Sequence, residues 1–308
     1  MTRALVTGST GFTGRHLLAE LASRGIEVVR ASGRAAASDV RRFDLASRAA
    51  WEDVLSGVRP DLVFHLHGTS ESLDASASVA HNVTPAAALL DAAVALGSSA
   101  SILLVGSAAE YGPRGSSTEP VREDALLAPT TLLGVTKAAQ TRLALQAAAE
   151  RGVRVVVARP ANLVGPGAPE TTAPGAFAAR LAAVAAGRAT SVRTGRLDTS
   201  RDFVDVRDAV GAYVALALCP GARGRVVHVS TGRATPMREV LERLMGHFGV
   251  RCPIEEEASL TPARSRDTAS FCASPALLFE LTGRVASTPL DASLADLARA
   301  VRASPRGG

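Results

Sequence analysis

The chain has 308 residues, enough to bury a sizeable core in one large or two modest domains. Apolar residues make up 47% of it but occur in short runs, which excludes a transmembrane helix, and Met1 to Arg3 lead directly into an apparent strand, leaving no room for a secretory signal. The formal charge of +5 comes from dispersed arginines with few aromatics between them, which argues against nucleic acid, and Cys219, Cys252 and Cys272 lack metal-ligand spacing, which suits reduced thiols in the cytoplasm.

In chain order, Ala4 to Val6 form a short buried strand and Thr7 to Gly14 a glycine turn. A helix follows, with Leu17, Leu18 and Leu21 on one face and a stop at Gly25. The next strand is Ile26 to Val29. The alternation continues with a helix around Trp51 to Leu55, a strand from Leu62 to Leu66, a helix capped by Thr84-Pro85 and ending at Gly97, and a strand from Ile102 to Val105. A long helix carrying Lys137 runs to about Glu150, and Val153 to Val157 are the strand after it. Beyond Pro160 the pattern loosens around one helix, Ala176 to Ala186. A helix near Asp208 to Leu218 and a strand from Arg225 to Val229 return to the sheet. An amphipathic helix, Met237 to Phe248, precedes an irregular charged tail whose end, Arg302 to Gly308, is expected to fray. The fold class expected is α/β, a doubly wound parallel Rossmann sheet with a smaller C-terminal substrate lobe. The expected division is a nucleotide-binding domain over 1–164, to which 203–232 returns, and a substrate lobe from 165–202 and 233–308.

Gly8, Gly11 and Gly14 have the spacing that lets a pyrophosphate approach a helix N-terminus, and the strand before and helix after them favour dinucleotide binding. The end of the second strand reads Arg30-Ala-Ser-Gly-Arg34, with no carboxylate for an adenosine ribose. NADP is therefore favoured over NAD, with Ser32 and Arg34 as contacts and Arg30 depending on the strand's phase. Lys137 is the single lysine in a chain that otherwise uses arginine for positive charge, which suggests a task needing a compact ammonium.

The segments Thr7 to Gly14, Phe64-His-Leu66, Gly106 to Gly112, Gly134-Val-Thr-Lys137, Arg159 to Pro166 and Arg201 to Asp208 together resemble the extended short-chain dehydrogenase/reductases of the NAD-dependent epimerase/dehydratase type. The resemblance spans nearly the whole chain. It implies cofactor contacts at Gly8, Thr10, Gly11 and Phe12, at Asp44, Leu45 and Leu66, and along Pro160, Asn162 and Leu163. It makes Ser107 the holder of the substrate carbonyl and Lys137 the holder of the nicotinamide ribose, with Ala108 and Tyr111 at the substrate's edge. It assigns Arg201 to the phosphates of a sugar nucleotide, the alternative being an internal ion pair with Asp202 or Asp205. A homodimer through helices near 84–96 and 135–150 is common in such proteins, so monomer and homodimer both stay open, with a small molecule as substrate.

The sequence departs from this family at Leu133, four residues before Lys137, where a tyrosine would give its proton to the reduced carbonyl. Losing a general acid costs typically ~10²–10⁴-fold, while positioning of the reactants can still contribute ~7–11 kcal/mol. Replacement acids to consider are Tyr111, His65 or His67, a water beside Ser107, or the substrate itself. Tyr213 reads as core. Leucine for tyrosine in an NADP-type reductase is similar to atypical ketoreductases of angucyclinone biosynthesis, which implies an aromatic polyketide ketone whose neighbouring phenol supplies the proton. The alternatives are a reductase of a nucleotide-linked 4-keto-6-deoxyhexose and a non-catalytic NADP(H)-binding protein.

Overall fold

The computed structural model describes residues 1–33, 39–69, 74–113, 119–260 and 270–303. Its N-terminal half alternates strand and helix: β1 (Arg3–Thr7), α1 (Phe12–Ser23), β2 (Glu27–Ser32), β3 (Val40–Arg42), α2 (Arg48–Val58), β4 (Leu62–His65), α3 (Ala75–Asn82), α4 (Thr84–Ala95), β5 (Ser101–Val105), α5 (Leu132–Arg151) and β6 (Val155–Pro160). The second half contributes β7 (Asn162–Val164), α6 (Ala173–Ala185), β8 (Val192–Thr194), β9 (Ser200–Asp205), α7 (Val206–Leu218), β10 (Val226–Val229), β11 (Ala234–Pro236), α8 (Met237–Phe248), β12 (Ile254–Glu256), β13 (Ser270–Phe271), α9 (Ala276–Thr282) and α10 (Leu290–Ala303).

Seven strands form a parallel sheet in the order β10-β6-β5-β4-β1-β2-β3. The chain starts at β1, winds out to β3, then restarts on the other side with β4, so a crevice opens beyond the C-terminal ends of β1 and β4. Successive side chains of a strand take opposite faces. Ala4, Val6, Phe64 and Leu103 therefore pack under α1 and α7, while Leu5, Val63, Ile102 and Leu104 pack under α2, α4 and α5. Burying each such Leu or Phe side chain is worth about 1.5–3 kcal/mol. These strands lack the polar alternation of a half-exposed sheet because both faces are covered.

The rest of the chain builds a third apolar cluster, in which α6, α8 and α10 meet through Phe177, Leu241 and Leu297. Short strands connect it to the main sheet: β9 pairs with β7, β11 and β13, and β8 with β12. The described residues after 249 are not an irregular tail, and 304–308, most of the end expected to fray, lie outside the described residues. Leu290, Leu294, Leu297, Ala298 and Val301 recur at helical spacing along α10, and Arg302 belongs to that helix, its guanidinium 4.9 Å from the centre of the Phe248 ring. Helix α6 starts three residues before the expected Ala176, because Thr172 accepts from Gly175 N and Pro174 fits a first turn. Thr84 does not cap α4. Helix α3, which the sequence reading missed, runs almost without a break into α4, and the Thr84 hydroxyl donates back to Val79 O instead.

Candidate active site

The glycine turn folds as its spacing requires. Gly8 has φ +67°, and a Cβ there would lie 2.9 Å from the Leu66 carbonyl carbon; a Cβ on Gly14 would come within 2.2 Å of Gly8 O. The turn thus packs against Leu66 and against the first turn of α1. Gly11 is the residue before α1, with no side chain capping the free N–H groups and no carboxylate in the first turn. This bare, positively polarised end is what a pyrophosphate needs, so the residues present fit a dinucleotide.

Strand β2 brings Arg30 to the same turn: its Nε donates to Ser9 Oγ at 3.4 Å and its guanidinium pairs with Asp39. Ser32 ends β2, with its carbonyl taken by Phe43 N. Arg34 lies outside the described residues. Asp44 is exposed, its Oδ1 accepting from Ala46 N, while Leu45 is buried behind Gly33. Thr10 is exposed at the tip of the turn, with its carbonyl held by Arg15.

Lys137 is buried on α5. Its ammonium donates to Val105 O at 2.8 Å and to Gln140 Oε1 at 3.1 Å, and it faces Gly68, where a Cβ would meet it at 3.3 Å. Burial lowers its pKa to about 8, with Glu110 opposing the shift. The lysine lies between Val105 and Gly68 and does not line the cavity next to them.

That cavity, about 350 Å³, lies beyond β5 and β6. Ser107, Ala108, Leu133, Pro160, Asn162, Leu163, Phe12 and Arg201, all anticipated from the sequence, line it together. Ser107 Oγ accepts from Ala109 N at 3.1 Å, and among the described residues nothing takes its own proton, so the hydroxyl is left as a donor. Leu133 lines the same cavity as Ser107 with a side chain that has no proton to give. The cavity continues into a second one of about 220 Å³, with Asn162, Leu163, Thr171, Thr172 and Arg201 shared between them. Arg180 and Arg196 join Arg201 there. Burial and the neighbouring Arg196 lower the Arg201 pKa to about 10, a sign of cations gathered in a confined space.

Tyr111 is not at the substrate's edge. It is fully buried, with its hydroxyl receiving a hydrogen bond from Arg159, sharing one with His228 and donating to Arg122 O. Burial raises its pKa to about 12. It cannot be the replacement acid. His65 is excluded too: it is buried against Thr7 and Trp51, and burial holds its pKa well below the usual imidazole value. His67 stacks on His81 and does not line the cavity that Ser107 lines. Tyr213 is core, as expected. Asp202 and Asp205 spend their carboxylates elsewhere, Asp202 on Thr231, Gly232 and Ala273, Asp205 on Arg207 and Ser293.

Sequence reasoning missed Thr130, Thr131 and Phe271 in the cavity at Ser107 and Arg180 and Arg196 in the second. Thr131 had a signal, being the residue before α5 whose hydroxyl accepts from Gly134 N. Phe271 had none, since its strand is two residues long.

Residues 4–229 match a family described as the NAD dependent epimerase/dehydratase family. Over 269 residues, 86% of this chain and 84% of the other, the sequence is 33% identical to GDP-6-deoxy-D-mannose reductase of Pseudomonas aeruginosa. It is 35% identical to dTDP-6-deoxy-L-talose 4-dehydrogenase (NAD(P)(+)) of Kitasatospora kifunensis over 266 residues, 82% of this chain and 81% of that one. The solved structure of RMD from Pseudomonas aeruginosa complexed with NADPH has a TM-score of 0.86 at 29% identity, covering 98% of this chain and 99% of its own.

Proposed function

We propose that this chain, which belongs to the NAD dependent epimerase/dehydratase family, reduces the keto group of a nucleotide-linked 4-keto-6-deoxyhexose with NADPH. The observation that carries the reading is a pair of cavities that share five lining residues, one of about 350 Å³ at Ser107 and one of about 220 Å³ lined by Arg180, Arg196 and Arg201, with Arg196 also paired to Asp198. A sugar ring in the first would place a nucleoside diphosphate among the guanidinia of the second, where paired N–H groups suit phosphate oxygens. Two relatives named for 6-deoxyhexose nucleotides, each matched over more than four-fifths of its length, support it, as does a similar fold solved with NADPH. On this reading residues 1–164 and 203–232 hold the cofactor, and 165–202 with 233–308 form the substrate lobe.

The residues divide the work as follows. When bound, NADPH supplies the hydride. Gly8, Thr10, Gly11 and Phe12 hold its pyrophosphate at the start of α1, Arg30 and Ser32 face its adenosine end, and the Lys137 ammonium takes a ribose hydroxyl. Ser107 donates its hydroxyl proton as a hydrogen bond to the ketone oxygen. Leu133 offers no proton, so water admitted beside Ser107 neutralises the alkoxide. Turnover is then expected to be slower than with a phenol by some of the ~10²–10⁴-fold that a general acid is worth.

Leu133 favours a second substrate class, an angucyclinone-type aromatic polyketide whose ketone stands beside its own phenol and supplies the proton internally. Phe12, Leu133 and Phe271 give the cavity an apolar wall that a fused ring would suit. Nucleotide binding separates the two readings. GDP or dTDP should raise the melting temperature of the wild type, and Arg201→Ala should weaken that binding about 10–100-fold, the loss of one or two charged hydrogen bonds. A melting temperature unmoved by either nucleotide would leave the polyketide reading in front.

A further inference from the structure

Ser107 is held from beneath by charged residues that do not line the cavity. Glu110 is fully buried in the short 3₁₀ turn Ala108–Tyr111, and its Oε1 accepts from Ser107 N at 2.8 Å. With Ser107 Oγ accepting from Ala109 N, this closes a capping box around the serine. The other oxygen of Glu110 accepts from Arg159 on β6 at 2.6 Å, a pair with 2% and 0% of its side chains exposed. Arg159 is fixed in turn by Tyr111, donating to its hydroxyl at 2.6 Å and lying 4.7 Å from the ring centre. Gly106 makes the arrangement possible, because a Cβ there would come within 2.5 Å of Glu110 Oε1.

A buried ion pair pays heavily for desolvation, and an apolar pair of similar volume is often as stable. Ordinary packing therefore does not call for these charges. We propose that Glu110 and Arg159 are positioning residues for Ser107: the carboxylate fixes the serine backbone, the arginine fixes the carboxylate, and the hydroxyl is thereby aimed at the ketone oxygen. In a site whose tyrosine position holds Leu133, the Ser107 hydroxyl is a donor that lines the cavity and is not itself spent among the described residues, so its placement carries more of the rate. The proposal rests on the reading of Ser107 as the ketone's hydrogen-bond donor.

Glutamine at 110 offers one acceptor oxygen and cannot satisfy both Ser107 N–H and Arg159. Measured at about pH 6, where Lys137 keeps its proton even without the Glu110 charge, Glu110→Gln should therefore lower kcat about 10–100-fold, the scale of a displaced donor, while NADPH affinity stays within about 2-fold. The deciding measurement is the cycle with Ser107→Ala, using whichever ketone the wild type reduces. In the Ser107→Ala background Glu110→Gln should change kcat by less than about 2-fold, although it lowers the melting temperature equally in both. Equal kcat losses in both backgrounds would overturn the proposal, since a general structural defect acts whether or not the serine is present. If Glu110→Gln does not fold, Arg159→Lys, which keeps the charge and loses the fork, takes its place in the same cycle. A second arm needs no substrate: amide hydrogen exchange at Ser107 should quicken about 10-fold or more in Glu110→Gln without a matching change in the β1 amides. Unchanged protection at Ser107 would also overturn the proposal. Should the wild type reduce no ketone, the functional reading fails and the exchange arm still decides this one.

Discussion

The two sides of the crevice meet the same sheet edge and are built from different material. On the β1 side the walls are backbone: a turn of three glycines, the free N–H groups of α1 and the carbonyl of Leu66. On the β5 and β6 side they are side chains, Ser107 and Leu133 among them, with the pair of Glu110 and Arg159 buried behind that wall. Backbone geometry recognises a pyrophosphate whatever reaction follows, and it changes only when a glycine does. Side chains set the chemistry one residue at a time, so a single replacement at 133 can remove an acid while the cofactor side stays intact.

Breaking the backbone side should cost most. Gly14→Ala puts a Cβ 2.2 Å from Gly8 O and 2.7 Å from Ser9 Cα. The turn must shift, and NADPH affinity measured by fluorescence titration should fall about 100-fold or more, with about 1–3 kcal/mol of stability lost by chemical denaturation. Ser107→Ala, on the other side, should lower kcat about 10²-fold and leave NADPH affinity nearly unchanged, with about 0.5–2 kcal/mol of stability lost as the Ala109 N–H loses its cap.

Leu133→Tyr sharpens the contrast by restoring a phenol beside Ser107 and four residues from Lys137. If water is the acid, single-turnover reduction should speed up by about 10-fold or more, part of the range a general acid supplies. No gain would point to a substrate that carries its own proton.

The smallest effect is in pH. Lys137 has its pKa lowered by burial from 10.5 to about 8, so its ammonium is lost as pH rises through that value. kcat/KM for NADPH should fall above about pH 8, and Gln140→Glu, which adds a carboxylate at the ammonium, should move that limb upward. The slope of stability with pH has the same sign as for a paired carboxylate, because both groups bind their proton less tightly in the folded chain than in the unfolded one. Between pH 8 and 10.5 the unfolded chain holds a proton that the folded lysine has released, so this group's contribution to stability rises with pH across that window. At neutral pH the buried charge is a net cost, and Lys137→Met should weaken NADPH binding without lowering the melting temperature.

The sheet and the glycine turn were legible because buried parallel strands and a tight turn restrict which residues can occur. Leu133 was legible by its offset from Lys137 alone. What could not be read were contacts made across the fold. Tyr111 looks like a pocket residue until β6 and β10 bring Arg159 and His228 against it, 48 and 117 positions away in sequence. The arginines at 180, 196 and 201 look dispersed until α6, the turn after β8 and β9 bring them to one cavity. That cavity, with the relatives, moves the expected substrate from an aromatic polyketide towards a nucleotide sugar. Helix α3 escaped notice because alanine and serine blur its apolar stripe, whereas α10 carries a legible one in Leu290, Leu294, Leu297 and Val301 that the reading of a charged tail passed over.

The most direct test is turnover. The wild type would be mixed with NADPH and, separately, with a GDP- or dTDP-linked 4-keto-6-deoxyhexose and an angucyclinone bearing a phenol beside its ketone, following loss of reduced-cofactor absorbance and the alcohol formed. Steady reduction of the nucleotide sugar is the predicted result. Reduction of the polyketide alone, or NADPH binding with neither ketone consumed, would contradict it.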